Sequence, residues 1–239
     1  MKQRTVLIAG ASRGLGLNFT RRYLEEGWRV LAGARSAVWD GESGLGELKK
    51  KYPDSLFLLR MDMTDTASIQ EAAKEAEQIA DRIELVINNA GIHGASSFER
   101  LEMADLDECA AVYDVNAVGP LRVVKAFLPI IAEGGQGMIV NISSESGSIK
   151  TACREKEFDY CMSKAALNMA TKLLDNYLSA RGIRVIAVHP GWMRTDMGGQ
   201  NAVQDPYETA AQLADLFARI DRADRKLLFV DNEGKEIPW

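Results

Sequence analysis

Tyr160 and Lys164 stand four residues apart in the run Tyr160-Cys161-Met162-Ser163-Lys164. On a helix that spacing puts both side chains on one face. An ammonium about 4 Å from a phenol, at an effective dielectric near 20, favours the phenolate by roughly 4 kcal/mol. A tyrosine starts near pKa 10, so a shift of about three units brings it close to neutrality, where it can give or take a proton. Near the N-terminus, Gly10-Ala11-Ser12-Arg13-Gly14-Leu15-Gly16 lies between a strand-like and a helix-like segment. Glycine permits a tight turn and lets a phosphate approach the backbone, and the following helix adds a favourable dipole. Gly10, Ser12, Arg13, Gly14, Leu15 and Gly16 are therefore candidate contacts for a dinucleotide. The two features together suggest proton transfer coupled to hydride transfer.

Other residues fit around that chemistry. Asn141-Ile142-Ser143-Ser144-Glu145-Ser146-Gly147 follows a strand. A hydroxyl there can donate to a carbonyl oxygen held beside Tyr160, although serines are also ordinary turn residues. Arg13 and Arg35, the latter just after the second strand, are placed to reach an adenosine 2′-phosphate. No acid stands at that strand end, where an NAD site usually has one for the ribose. Either arginine is equally readable as a solvated surface charge. Asp62, with Met63 beside it, follows the third strand and is positioned either to meet the adenine or to cap a helix. His189 before Pro190 reads as structural, and His93 as a residue that lines a pocket at most. With only these two histidines, no nucleophile triad and no clustered metal ligands are expected.

The chain has 239 residues and a net charge of −5, with 46% hydrophobic and 26% charged residues. That length and composition suit one soluble α/β domain spanning 1–239. Without a long Lys/Arg block, neither nucleic acid nor an anionic membrane is the expected partner. Cys109, Cys153 and Cys161 form no CxxC pair and are odd in number, which fits a reducing cytoplasm. Arg13 interrupts the first apolar stretch early, so a leader peptide is a poorer explanation than the glycine loop. No apolar run reaches the 18 or so residues that span a bilayer.

Strands are expected at 5–9, 29–34, 56–61, 85–87, 138–142, 184–188 and 226–230. Helices are expected at 15–26, 66–81 (capped by Asp65 or Thr66), around Tyr160 and Lys164, and at 205–220, with a loose loop and short helix over 41–52. A long helical region from Ala104 to about Ala132 is expected to break near Gly119-Pro120. Apolar strands without clean alternation, alternating with helices, predict a Rossmann-type doubly wound parallel sheet in a single domain.

With these residues in place, the chain resembles the short-chain dehydrogenase/reductase family from Thr5 to Trp239. The resemblance implies that Ser144, Tyr160 and Lys164 are the catalytic serine, tyrosine and lysine. It implies that Asn116, in Val115-Asn116-Ala117-Val118-Gly119, interrupts a helix and holds a water linking the lysine to a proton relay. Asn88-Asn89-Ala90-Gly91 is similar to the family's segment beside the cofactor ribose, which assigns Asn89, Ala90 and Gly91. Pro190-Gly191-Trp192-Met193-Arg194-Thr195 is similar to the loop over the nicotinamide, which assigns Pro190, Gly191, Met193 and Thr195. His189 to Gly199 and the ending Asp231 to Trp239 are similar to the C-factor and sniffer-type carbonyl reductases. Ala9 stands where the family commonly has threonine, the Ser144 to Tyr160 spacing is a few residues long, and Lys150 to Glu157 is unusually charged for a substrate-side loop. The implied activity is reduction of a small-molecule ketone or aldehyde to an alcohol, with NADP(H) preferred and NAD(H) possible. The alternatives are a nucleotide-binding signalling protein of the C-factor kind and an NAD-linked alcohol dehydrogenase. A homo-oligomer, dimer or tetramer, is implied by the same likeness.

Overall fold

The computed structural model describes residues 3–35 and 44–239. Seven parallel strands form one sheet in the order β3-β2-β1-β4-β5-β6-β7: β1 (Thr5–Ala9), β2 (Arg29–Ala34), β3 (Leu56–Arg60), β4 (Leu85–Asn88), β5 (Met138–Ile142), β6 (Arg184–Val188) and β7 (Phe229–Val230). The chain winds outward from β1 to β3, then returns past β1 to β4. That reversal opens a crevice beyond the C-terminal ends of β1 and β4, where doubly wound sheets bind ligands.

Side chains on a strand alternate between faces, so β1 feeds two cores. Val6 and Ile8 pack with Phe19, Tyr23, Leu213 and Phe217, from α1 (Gly14–Glu25) and α7 (Pro206–Arg219). Leu7 and Ala9 pack with Ile69, Val123, Phe127 and Leu178, from α3 (Thr66–Ile79), α5 (Gly119–Phe127) and α6 (Phe158–Leu178). Both faces are covered, which is why the strands read as continuous apolar runs. α3 starts at Asp65, whose carboxylate accepts from the amides of Ala67 and Ser68, and α7 starts at Asp205 in the same way. α2 (Gly44–Lys51) is the short helix expected before Pro53, while residues 41–43 of that expected segment lie outside the described residues. No helix among the described residues is long and apolar enough to cross a membrane.

Two expectations need correction. The helical region begins later, as α4 (Glu108–Tyr113), while the break expected near Gly119-Pro120 is a π-helical turn over Asp114–Val118 that carries Asn116. Pro120 lies in the first turn of α5, where its missing N–H is tolerated. It removes the donor that would serve the carbonyl four residues back, at Asn116, so the ladder is disturbed upstream of the proline. The last strand is only Phe229–Val230.

A buried polar ladder fixes α6 against the sheet. Asn88 donates to Asn141 at 2.8 Å, and Asn141 donates to Thr171 of α6 at 2.9 Å. The side chains on the first turns of α6 are thereby set relative to the ends of β4 and β5.

Candidate active site

The glycine turn after β1 owes its shape to close approach. Gly10 has φ +85°, and a Cβ there would lie 2.7 Å from the backbone of Ala90. A Cβ at Gly16 would lie 2.1 Å from the Gly10 carbonyl oxygen. Gly16 thus serves the packing of α1 on the turn and does not line the cleft, unlike Gly10, Ser12, Arg13, Gly14 and Leu15. Gly14, at φ +54°, would meet only Thr195, at 3.4 Å, so the turn fronts open space. Arg13 occupies the N-cap of α1 without capping it, which leaves the first-turn amides available to an anion.

That space is a cleft of about 980 Å³ running from Arg35 past the glycine turn to Tyr160. Asp62, Met63, Asn89, Ala90 and Gly91 line it, as do Pro190, Gly191, Met193 and Thr195 from the loop after β6. Asp62 also holds its own turn, accepting from the amide and hydroxyl of Thr64 at 2.9 and 2.8 Å. Those bonds from Thr64, with Arg35 and Arg60 nearby, keep its carboxyl below the usual range. Arg13 pairs with Asp196 at 2.6 Å across the mouth, both side chains being mostly exposed. Arg35 lies at the end of the cleft away from Tyr160, near Asp62.

At the other end, the turn Glu145–Gly147 sits directly on α6, where a Cβ on Gly147 would lie 2.7 Å from the Lys164 backbone. This contact brings Ser144 to Tyr160. The neighbouring serine is turned away, with the Ser143 hydroxyl donating to Asn168 at 2.6 Å. Lys164 is buried, donates to the Ile142 carbonyl at 2.8 Å and sits 5.4 Å from the centre of the Tyr160 ring. Burial lowers its pKa to about 8. Tyr160 keeps part of its surface open to the cleft, yet the protein around the phenol pushes its pKa up, against the pull of the Ser144 hydroxyl. The sequence argument expected Lys164 to bring the phenol toward neutrality. In this structure burial of the phenol acts in the opposite direction.

Asn116 lies on the π turn, fully buried, outside the cleft lining. Its Oδ1 accepts from the Ile92 amide at 2.8 Å, and its Nδ2 donates to the Ile92 carbonyl at 2.8 Å and to Ser163 at 2.9 Å. A Cβ on Gly91 would lie 3.5 Å from both Asn116 Oδ1 and Lys164 Nζ, which places the two polar atoms around one point.

Sequence reasoning missed a polar network at this end. His189, expected to be structural, lines the cleft with Nδ1 3.0 Å from Glu145 Oε2. Glu145 Oε1 takes Arg154 at 2.5 Å, and Arg154 also binds Glu157. Glu157 is the N-cap of α6 and the one non-glycine with positive φ among the described residues, at φ 60°. The charge density of Lys150 to Glu157 was the only sequence signal for this network. His93 lines the cleft too, edge-on to Phe98. Among the described residues no cluster of three or more His, Cys, Asp or Glu could hold a metal.

The sequence model of the short chain dehydrogenase family matches residues 4–205. The chain belongs to that family. Ser144, Tyr160 and Lys164 all line the one cleft. Among relatives, C-signal of Myxococcus xanthus is 32% identical over 157 residues, covering 66% of this chain and 93% of that protein. An uncharacterised oxidoreductase of Schizosaccharomyces pombe is 32% identical over 89% of this chain and 82% of its own length. Among solved structures, an NADPH-bound carbonyl reductase from chicken fatty liver has TM-score 0.89 and 32% identity. The carbonyl reductase Sniffer of Drosophila melanogaster has TM-score 0.90 and 27% identity. Each covers 100% of both chains.

Proposed function

We propose that this short-chain dehydrogenase reduces a ketone or aldehyde to an alcohol with NADPH. The observation that carries the reading is one continuous cleft, with the open glycine turn and Arg35 at one end and Ser144, Tyr160 and Lys164 at the other. The residues fit a dinucleotide: the turn at Gly14 faces open space, the first amides of α1 are uncapped, and Asp62 and Arg35 flank the far end. NADPH, when bound, supplies the hydride that adds to the carbonyl carbon. Tyr160 donates its phenolic proton to the carbonyl oxygen, a role suited to a phenol that burial keeps protonated. The Lys164 ammonium, still mostly charged at pH 7 with a pKa of about 8, stabilises the phenolate left behind. Ser144 stabilises the oxygen as its charge grows. In the reverse direction Tyr160 is the base.

The test is a panel of ketones and aldehydes with NADPH, followed by cofactor absorbance and product identification. Consumption of NADPH with stoichiometric alcohol supports the reading. The likeness to C-signal favours one second reading, a nucleotide-binding signalling protein. Tight NADPH binding with no consumption across the panel would select it.

A further inference from the structure

The Ser144 hydroxyl has one proton and several polar neighbours, the Tyr160 phenol among them. Its Oγ lies 2.8 Å from Glu145 Oε2, 2.9 Å from Ser146 Oγ and 3.2 Å from the Ser146 amide. Burial alone would raise the Glu145 carboxyl, but the close approach of His189 and hydrogen bonds from Ser144 and Arg154 overcome it and hold the group ionised. An ionised carboxylate accepts hydrogen bonds and cannot donate them. Ser144 is therefore the donor to Glu145 and the acceptor from the Ser146 amide. Its proton is not free for a substrate oxygen.

The geometry points to Glu145 as a positioning residue that holds the Ser144 proton until negative charge develops on the substrate oxygen. This rests on the reading of Ser144 and Tyr160 as the pair that meets a carbonyl. A hydrogen bond to an ionised acceptor is roughly twice as strong as one between neutral groups. A ground-state ketone, being neutral, does not draw the proton away from the carboxylate. The oxygen of the transition state carries alkoxide character and does. An interaction made only there raises kcat without tightening substrate binding. Glu145 is well fixed for this task, with His189 on one oxygen and Arg154 on the other. The charged groups that act on Tyr160 from this side are Glu145, Glu157 and Arg154.

The test is a double-mutant cycle in the full-length chain loaded with NADPH, using Ser144→Ala, Glu145→Gln and both together. In the wild-type background, Ser144→Ala is expected to lower kcat by about tenfold or more and to move KM by less than about twofold. Glu145→Gln is expected to lower KM about threefold or more, and Ser144→Ala added to it should restore the KM. Arg154→Gln cuts the tie to the loop but keeps the Ser144–Glu145 bond, and should not reproduce that pattern. A KM unchanged by Glu145→Gln, equal KM effects of Ser144→Ala in both backgrounds, or the same pattern from Arg154→Gln would overturn the proposal. A second arm needs no turnover, which separates this inference from the function itself. The tyrosinate absorbance of Tyr160 in the NADP⁺ complex is read as a difference from Tyr160→Phe. Glu145→Gln should lower its apparent pKa, and most of that shift should vanish without Ser144. An equal shift with and without Ser144 would be a through-space charge effect and would sink the idea.

Discussion

The Gly10–Gly16 turn and the Ser144–Glu157 segment line the same cleft but are shaped by different physics. In the first, the backbone does the positioning: Gly10 and Gly16 are small because Ala90 and the Gly10 carbonyl stand where a Cβ would go. In the second, side chains position one another, through Ser144 to Glu145, Glu145 to His189, and Arg154 to both Glu145 and Glu157. A backbone constraint tolerates one residue type and can be broken by a single methyl group. A charge network tolerates rearrangement, so its members matter through the proton they hold rather than the shape they make.

The largest effect should come from the one proton the reaction consumes. Tyr160→Phe keeps the ring and loses the hydroxyl, and should lower kcat by about 10²–10⁴-fold while leaving NADPH binding nearly intact. Near-normal kcat on any carbonyl the wild type reduces would remove Tyr160 from its role. Ser144→Ala should cost less than this, and Ser143→Ala least, because the Ser143 hydroxyl is spent on Asn168.

The next effect belongs to the backbone side of the comparison. Gly16→Ala places a methyl 2.1 Å from the Gly10 oxygen and 2.6 Å from Asn89 Nδ2, with backbone on one side. Overpacking of this kind costs about 1–3 kcal/mol or more, read as a lowered urea midpoint. Gly14→Ala meets only Thr195 at 3.4 Å but must hold φ +54°. Its cost should be about 1–2 kcal/mol, with the larger share of its effect on NADPH affinity. If Gly14→Ala proved the more destabilising of the two, the division between packing glycine and cleft glycine would be wrong.

That contrast also explains what could be read from the sequence. The first six strands, α1, α3, α6 and α7 were legible because burial on both faces writes long apolar runs and because Asp65 and Asp205 announce helix starts. The glycine turn and the Tyr160–Lys164 pair were legible because local spacing defines them. The helix break was legible from both sides, from Pro120, which disturbs the ladder four residues upstream, and from the family resemblance, which implied an interruption at Asn116, although its π-helical form was not. Glu145, His189 and Arg154 were missed because they meet only when the ends of β5 and β6 lie side by side, and no local pattern pairs residue 145 with residue 189. The burial of the Tyr160 phenol was hidden for the same reason. Spacing places an ammonium near a phenol but says nothing about how much protein surrounds them.

Lys164 sharpens that last point through pH. Burial lowers its pKa from 10.5 to about 8. Below pH 8 the folded chain carries a buried ammonium at a cost. Between pH 8 and 10.5 the unfolded chain binds more protons at this site than the folded one, so stability rises with pH. Relative to Lys164→Met, the wild type should gain roughly 2–3 kcal/mol between pH 7 and pH 10.5, since each pKa unit is about 1.4 kcal/mol. Urea unfolding of both chains without cofactor at the two pH values measures it. A difference that stays flat would mean that Lys164 is hydrated in the cleft and that its pKa is not lowered by burial.

The smallest effect tests the far end of the cleft, where neither a tight backbone nor a dense network operates. Arg35 lines the cleft beside Asp62, whereas Arg13 is paired with Asp196. A 2′-phosphate carries up to two negative charges, and a hydrogen bond from arginine to it is worth about 1.5–3 kcal/mol. One such contact supplies about a tenfold preference for NADPH. Arg35→Asp repels the phosphate and offers a carboxylate to the ribose hydroxyls of NADH, as acids do at this strand end in NAD sites. The ratio of kcat/KM for NADPH over NADH should fall by more than about tenfold, measured at fixed salt because exposed charges are screened. Arg13→Ala should change the ratio less, since its partner Asp196 already competes for it. If Arg13→Ala moved the ratio more than Arg35→Asp, the Arg13–Asp196 pair would have to open on binding, and the glycine turn would hold the charge recognition as well as the shape.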